Sequence, residues 1–217
     1  KKISAKKEKK KGASSPQRNP GQAGGPPQSE VNALLAQYQS GQYAIAQELA
    51  ETMTQKYPNH QFGWKVLGAV HSSSGRTADA LMANQKAVTL LPNDAEAHSN
   101  LGVTLKDLGR LEEAEASYRQ AIALKPDFAA AHSNLGLTLK ELGRSDEALK
   151  AVVASLRIRP SADAKNNFAY IAKYIAPKYW DTALAKMLIS ALVEPWDRPS
   201  NLMGVACRLL KLDAEFM

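Results

Sequence analysis

The chain holds a single cysteine, Cys207, among 217 residues, so no disulfide can form within it and a reducing compartment is permitted. Aromatic residues are few, 6% of the chain, and only three Trp and four Phe stand beside seven Tyr. Alanine and leucine are plentiful instead, which favours helices packed through small side chains over a β-sandwich. No run of about 18 apolar residues is present, so the sequence offers no transmembrane segment. No secretory signal is visible, and the expected location is cytoplasmic. Neither H-E-x-x-H nor C-x-x-C spacing occurs, and no G-x-G-x-x-G follows a strand. The expectation is therefore no catalytic residue, no metal and no cofactor in this chain.

Charge of one sign is scarce too, once it is located. The net charge is +7, but residues 1–29 alone carry seven Lys, one Arg and one Glu, which also sum to +7. The remainder has 20 basic and 20 acidic residues and is neutral. That excludes an electrostatic bias of the folded part toward phosphates, and with it a specific nucleic-acid role. Residues 1–29 are lysine-rich and then rich in Gly, Pro, Ser and Gln. They cannot bury enough apolar surface to offset their ordering entropy, so a disordered basic tail with weak, non-specific, salt-sensitive anion attraction is expected.

What is present is a period. Gly41, Gly75, Gly109 and Gly143 recur every 34 residues, as do Ala46, Ala80, Ala114 and Ala148, and Pro58, Pro92, Pro126 and Pro160. Leu67, Leu101 and Leu135 keep the spacing, each followed by glycine: Gly68, Gly102 and Gly136. Segments 95–128 and 129–162 agree at 16 of 34 positions. From Glu96 to Leu108 the apolar residues Ala97, Leu101, Leu105 and Leu108 share one helical face. Gly109 ends that helix by taking the left-handed conformation at low cost. A second helix runs from Leu111 to Leu124, with Ala114, Tyr118, Ala121 and Leu124 inward, and Pro126 stops it. Gly102 in mid-helix implies a close helix approach, and small Ala114 suits that contact.

These residues resemble the tetratricopeptide repeat: a large residue at position 4 (Trp64, His98, His132), Leu-Gly at 7 and 8, Gly at 15, Ala at 20 and Pro at 32. The register gives four repeats, 27–60, 61–94, 95–128 and 129–162, the first degenerate, so that the repeat domain covers 30–162. The resemblance implies an all-α, right-handed solenoid of helix-turn-helix repeats with a C-terminal helical cap. It also implies that first helices line a concave groove for a peptide or partner protein. Position 6 faces that groove in the family and here carries Asn32, Val66, Asn100 and Asn134. An asparagine amide both donates and accepts, so it can pair with a peptide backbone whatever its sequence.

The run Ala-His-Ser-Asn-Leu-Gly at 97–102 and 131–136 is similar to the repeats of O-linked N-acetylglucosamine transferases, where an asparagine ladder holds the protein substrate. Val66 interrupts the ladder here. Lys106 and Lys140 recur at position 12 beside Asp107 and Glu141, and Lys65 fits part of the carboxylate clamp of chaperone-binding repeats. Three of that clamp's five positions fail: Ala69, Ala130 and Asn134 stand where Asn, Lys and Arg are wanted. The expected groove residues are thus Asn32, Lys65, Asn100, Lys106, Asn134 and Lys140. His98 and His132 fill the large-residue position and are expected to be structural.

Beyond Pro160 the 34-residue period is lost. A capping helix is expected over 163–176, with Phe168, Ile171 and Ile175 on one side, followed by a helical segment at 177–217. That last segment is similar to one that follows the repeats in large bacterial proteins carrying a glycosyltransferase or methyltransferase region. The resemblance implies an alternative role, the substrate-recruiting N-terminal part of a longer bacterial transferase.

Overall fold

The computed structural model describes residues 25–172. The tail up to residue 24, residues 173–176 of the expected capping helix with Ile175, and the helical segment expected over 177–217, Cys207 included, lie outside the described residues. Among those described are nine helices: α1 (Gln28–Gln39), α2 (Tyr43–Lys56), α3 (Gln61–Ser73), α4 (Thr77–Leu90), α5 (Ala95–Asp107), α6 (Leu111–Leu124), α7 (Ala129–Glu141), α8 (Ser145–Ile158) and α9 (Ala162–Ala172). They pair as four hairpins stacked in chain order, and α9 closes on α8 and α7. The first helix starts at Gln28, inside the stretch expected to be tail. Its first turn is closed through the Pro27 carbonyl, which accepts from the amides of Glu30 and Val31 at 3.0 and 3.2 Å.

Two kinds of turn build the stack. Inside each hairpin, Gly41, Gly75, Gly109 and Gly143 adopt φ of 71–78°, a region costly for any residue with a Cβ. Their geometry lets the next amide reach back five residues, from Gln42 to the Gln37 carbonyl and from Arg76, Arg110 and Arg144 to His71, Leu105 and Leu139, all at 2.8–3.0 Å. This Schellman closure satisfies carbonyls that a helix end would otherwise leave bare. Between hairpins, the residue before each proline leaves the helix. Leu91, Lys125 and Arg159 take φ of −138 to −152°, as the ring of a following proline demands.

The second helices face the first through small residues. Ala114, Tyr118 and Ala121 of α6 are fully buried, at the i, i+4, i+7 spacing of one helical stripe. Leu108, expected on the inner face of α5, instead follows the helix as its C-cap and is 37% exposed. The close approach at Gly102 is real, but its partner is the ring of Tyr118 and not Ala114: a Cβ there would lie 2.7 Å from Cε1. Gly68 and Gly136 meet Asn84 and Val152 in the same way, so each glycine is dictated by the residue four positions after the period's alanine.

The apolar core comes in two parts. One is centred on Leu34, Ala50, Val66 and Val70, the other on Leu105, Tyr118, Leu139, Val152 and Phe168. Polar side chains lie between. Asn84 is 1% exposed and its Nδ2 donates to Thr104 Oγ1 at 2.9 Å. Thr104 Oγ1 in turn donates to the Asn100 carbonyl at 3.1 Å and lies 3.2 Å from Ser72 Oγ.

Trp64, His98 and His132 share one structural task. The indole Nε1 of Trp64 donates to the Pro58 carbonyl at 3.0 Å, and His98 and His132 place Nε2 at 2.8 and 2.9 Å from the carbonyls of Pro92 and Pro126. Each ring thus ties a first helix to the proline turn that precedes it.

Candidate functional site

The first helices α3, α5, α7 and α9 lie side by side, each in contact with the next. Ser72 meets Thr104, Lys106 Nζ lies 3.6 Å from Glu141 Oε1, and Asn167 Nδ2 donates to Ser133 Oγ at 2.9 Å. Asn100 and Asn134 hold equivalent positions on α5 and α7, as do Lys106 and Lys140, so each residue type repeats from one helix to the next along this row.

The six expected groove residues fall into two groups. Asn100 and Asn134 are half-buried, and their side-chain amides make no hydrogen bond among the described residues, although their backbone carbonyls accept from Thr104 and Thr138. Their amide groups are available. The other four are engaged. Asn32 is exposed on α1, and its Oδ1 accepts from Gln28 Nε2 at 2.9 Å. Lys65 is held by two carboxylates, Asp94 and Glu96, each at 2.8 Å. Burial works against the Lys65 charge, yet the hydrogen bonds to Asp94 and Glu96 outweigh it and raise the lysine pKa. Burial likewise opposes ionisation of Asp94, and the Lys65 hydrogen bond overcomes it and lowers that pKa. Asp94 also caps α5, accepting from the amides of Glu96 and Ala97 at 2.9 and 3.3 Å. Lys106 pairs with Glu141, and Lys140 donates to Tyr170 Oη at 2.6 Å while lying 4.3 Å from the Tyr170 ring centre. Val66, the interruption in the asparagine row, is 6% exposed and belongs to the core.

One member of the row is hidden from the 34-residue period. The pattern Ala-x-Ala-x-x-Asn at 95–100 and 129–134 returns at 162–167, one residue early. The helix α9 keeps the packing role of α5 and α7: Phe168 and Ala169 are buried where Leu135 and Gly136 are buried in α7. Asn167 thereby joins Asn134, and the two line one depression of about 330 Å³ with Ser133, Arg159 and Asp163. The local pattern, read without insisting on a fixed length, is the signal that locates Asn167.

Among the described residues no three His, Cys, Asp or Glu side chains converge as a metal would require, and no helix is long and apolar enough to cross a membrane. The arrangement offers chemistry of one kind, namely neutral amides that donate and accept along a row of helices.

Family models described as TPR repeat match residues 104–143, and models described as tetratricopeptide repeat match 83–116 and 129–161. No curated protein sequence matches the chain. Among solved structures, TTC0263, a thermophilic TPR protein of Thermus thermophilus, is 19% identical with a TM-score of 0.63, covering 84% of this chain and 98% of that one. YrrB, described as a TPR protein with an unusual peptide-binding site, is 20% identical with a TM-score of 0.60, covering 87% of this chain and 91% of that one. An O-GlcNAc transferase of Thermobaculum terrenum is 26% identical with a TM-score of 0.56 over 60% of this chain, which amounts to 26% of the transferase chain. With the hairpins, the glycine-closed turns and these family matches together, residues 83–161 are identified as tetratricopeptide repeats and the described fold as an all-α solenoid of such repeats.

Proposed function

We propose that this chain is a protein-interaction module that holds a peptide or an extended segment of a partner protein against its row of first helices. The observation that carries this reading is the pair Asn100 and Asn134, aligned on adjoining helices with side-chain amides that have no partner among the described residues. A half-buried amide without a partner is a recognition group in waiting, because pairing it with a backbone recovers a hydrogen bond at little ordering cost. The described peptide-binding site of YrrB, on a similar fold, supports the reading. In it the chain binds and does not catalyse, and the lone Cys207 suits a cytoplasmic location. The test is the double variant Asn100→Ala with Asn134→Ala in the full chain, compared with the parent as bait for partner capture and in peptide titrations. Binding should weaken at nearly unchanged helicity and melting temperature. Unfolding of the variant would make the asparagines structural and end the proposal.

A second reading has the module recruiting substrate for a bacterial glycosyltransferase or methyltransferase region carried elsewhere in a longer protein. The observation in its favour is the shared Ala-His-Ser-Asn-Leu-Gly run together with the similarity to the Thermobaculum terrenum transferase. A reading frame that continues into a nucleotide-sugar or adenosylmethionine site would support it, and a stop codon directly after Met217 would refute it.

A further inference from the structure

The row of amides has a companion. Three residues further along each first helix stand Val103 on α5, Leu137 on α7 and Tyr170 on α9. Val103 and Leu137 are half-buried, and Tyr170 is 39% exposed with Lys140 lying over its ring. From α5 onward, every first helix therefore presents one amide and one apolar side chain next to each other. The pairing fails at α3, where the corresponding residues are buried Val66 and small Ala69. A further such pair, Asn32 with Leu35 at 36% exposed, stands on α1 beyond this break, so the uninterrupted run is α5, α7 and α9.

The spacing of that pattern selects a ligand backbone. Packed helices lie about 8–10 Å apart, which sets the distance from one amide–apolar pair to the next. A β-strand returns a side chain to the same face every second residue, about 6.6–6.8 Å along the chain. That is too short for one side chain per helix, and the next return at about 13 Å is too long. A polyproline II helix returns every third residue, about 9.3 Å along its axis, and leaves its backbone groups unpaired. The charges agree with an uncharged occupant. Lys106 is paired with Glu141 and Lys65 with Asp94 and Glu96, the depression between Asn134 and Asn167 is lined by one cation and one anion, Arg159 and Asp163, and Lys140 is held at the neutral Tyr170 hydroxyl.

We infer that α5, α7 and α9 form one site for a polyproline-II-like peptide segment, weakly charged and carrying an apolar side chain at every third position. Its backbone groups meet the amides of Asn100, Asn134 and Asn167, and its apolar side chains rest on Val103, Leu137 and Tyr170. Asn167 takes part through its Oδ1, since its Nδ2 already donates to Ser133. This specificity rests on the peptide-binding reading above and adds a register to it.

The experiment titrates the full chain into two labelled peptides of about twelve residues. Both contain Leu among Ser, Thr and Gln in one composition and differ only in whether Leu recurs every third or every second residue. The every-third peptide should bind about tenfold tighter or better, a gap of one well-made apolar contact. Tyr170→Ala and Leu137→Ser should each remove most of that preference, whereas Asn134→Ala should weaken both peptides alike. Circular dichroism melting accompanies each variant. If Leu137→Ser fails to fold, Tyr170→Ala, at an exposed position, decides alone. Equal binding of the two peptides, with Asn134→Ala still harmful, overturns the register and leaves the amide reading intact. Binding of neither peptide overturns both.

Discussion

Replacing Tyr118 by Phe removes one oxygen from the largest fully buried side chain of the larger core. Tyr118 is 0% exposed, and its hydroxyl is buried with no hydrogen-bond partner among the described residues. Burying a hydroxyl without a partner costs about 1–3 kcal/mol on protein scales. The ring itself must stay, because it fills the space against Gly102. Phe keeps that ring and discards the cost, so Tyr118→Phe should be as stable as the parent or more stable by up to about 2 kcal/mol at pH 7. The difference should widen in alkali. Burial, with the charges of Asp107 and Glu141 adding to it, raises the Tyr118 pKa far above 10.0. A pKa raised on folding contributes stability in full below the unfolded value and loses it as pH climbs toward the folded one. Between pH 10 and 11 the unfolded tyrosine ionises while the folded one does not. The parent then loses about 1.4 kcal/mol relative to the phenylalanine variant by pH 11. Guanidinium denaturation of both proteins at pH 7 and pH 11 measures both quantities, since the other tyrosines cancel in the comparison. A variant less stable than the parent by more than about 1 kcal/mol at pH 7 would show that the hydroxyl is satisfied and refute the reasoning.

Other perturbations follow from the same packing. Gly102→Ala gains about 1 kcal/mol in helix propensity but drives a methyl to within 2.7 Å of the enclosed Tyr118 ring; overpacking costs about 1–3 kcal/mol, so melting should fall, and a rise would mean that the ring gives way. His132→Phe should lose about 1 kcal/mol by cutting the bond to the Pro126 carbonyl, while His132→Trp should restore it, as Trp64 makes the same bond two repeats earlier; equal losses would show that ring size matters and the N–H does not. Burial of His71, and after it the charge of Arg76, lowers its pKa, against smaller opposing effects of Asp79 and Glu51. A lowered pKa gives stability above the unfolded value that is lost as pH falls, so stability should decline below about pH 6.5, and His71→Gln should flatten that limb in urea titrations at pH 5 to 7.

The helices were legible in the sequence because glycine and proline act locally. Gly109 ends α5 and Pro126 ends α6 through their own backbone geometry, with no help from distant residues, and α6 buries the alanines and tyrosine that its spacing points inward. Contacts between repeats were far less legible. Lys65 reaches carboxylates 29 and 31 residues away, and no spacing rule distinguishes that pairing from an open groove lysine. Small residues suggest close helices and so point from Gly102 to Ala114, whereas the ring that occupies the space comes from one turn further along α6. Of the groove residues, Asn100 and Asn134 could be read from their position in the repeat. Asn167 could not be read at a fixed period, because the connection after Pro160 is shorter by one residue.

That shorter connection separates two kinds of turn by their tolerance of length. A turn inside a hairpin is locked, since its bond from five residues back forms only when a left-handed residue stands at one position, and a deletion there would unseat both helices. The connections after Pro58, Pro92 and Pro126 are closed by a bond across three residues, from the amides of His60, Asp94 and Phe128 to the carbonyls of Tyr57, Leu91 and Lys125, which needs no left-handed residue. The connection after Pro160 does without it. It absorbs a deletion and still delivers α9 in phase with α7, with Ser133 and Asn167 in contact. Length changes in a lineage of such chains should therefore accumulate after the prolines, and a fixed 34-residue register carried past Pro160 from Asn134 lands on Phe168 instead of Asn167.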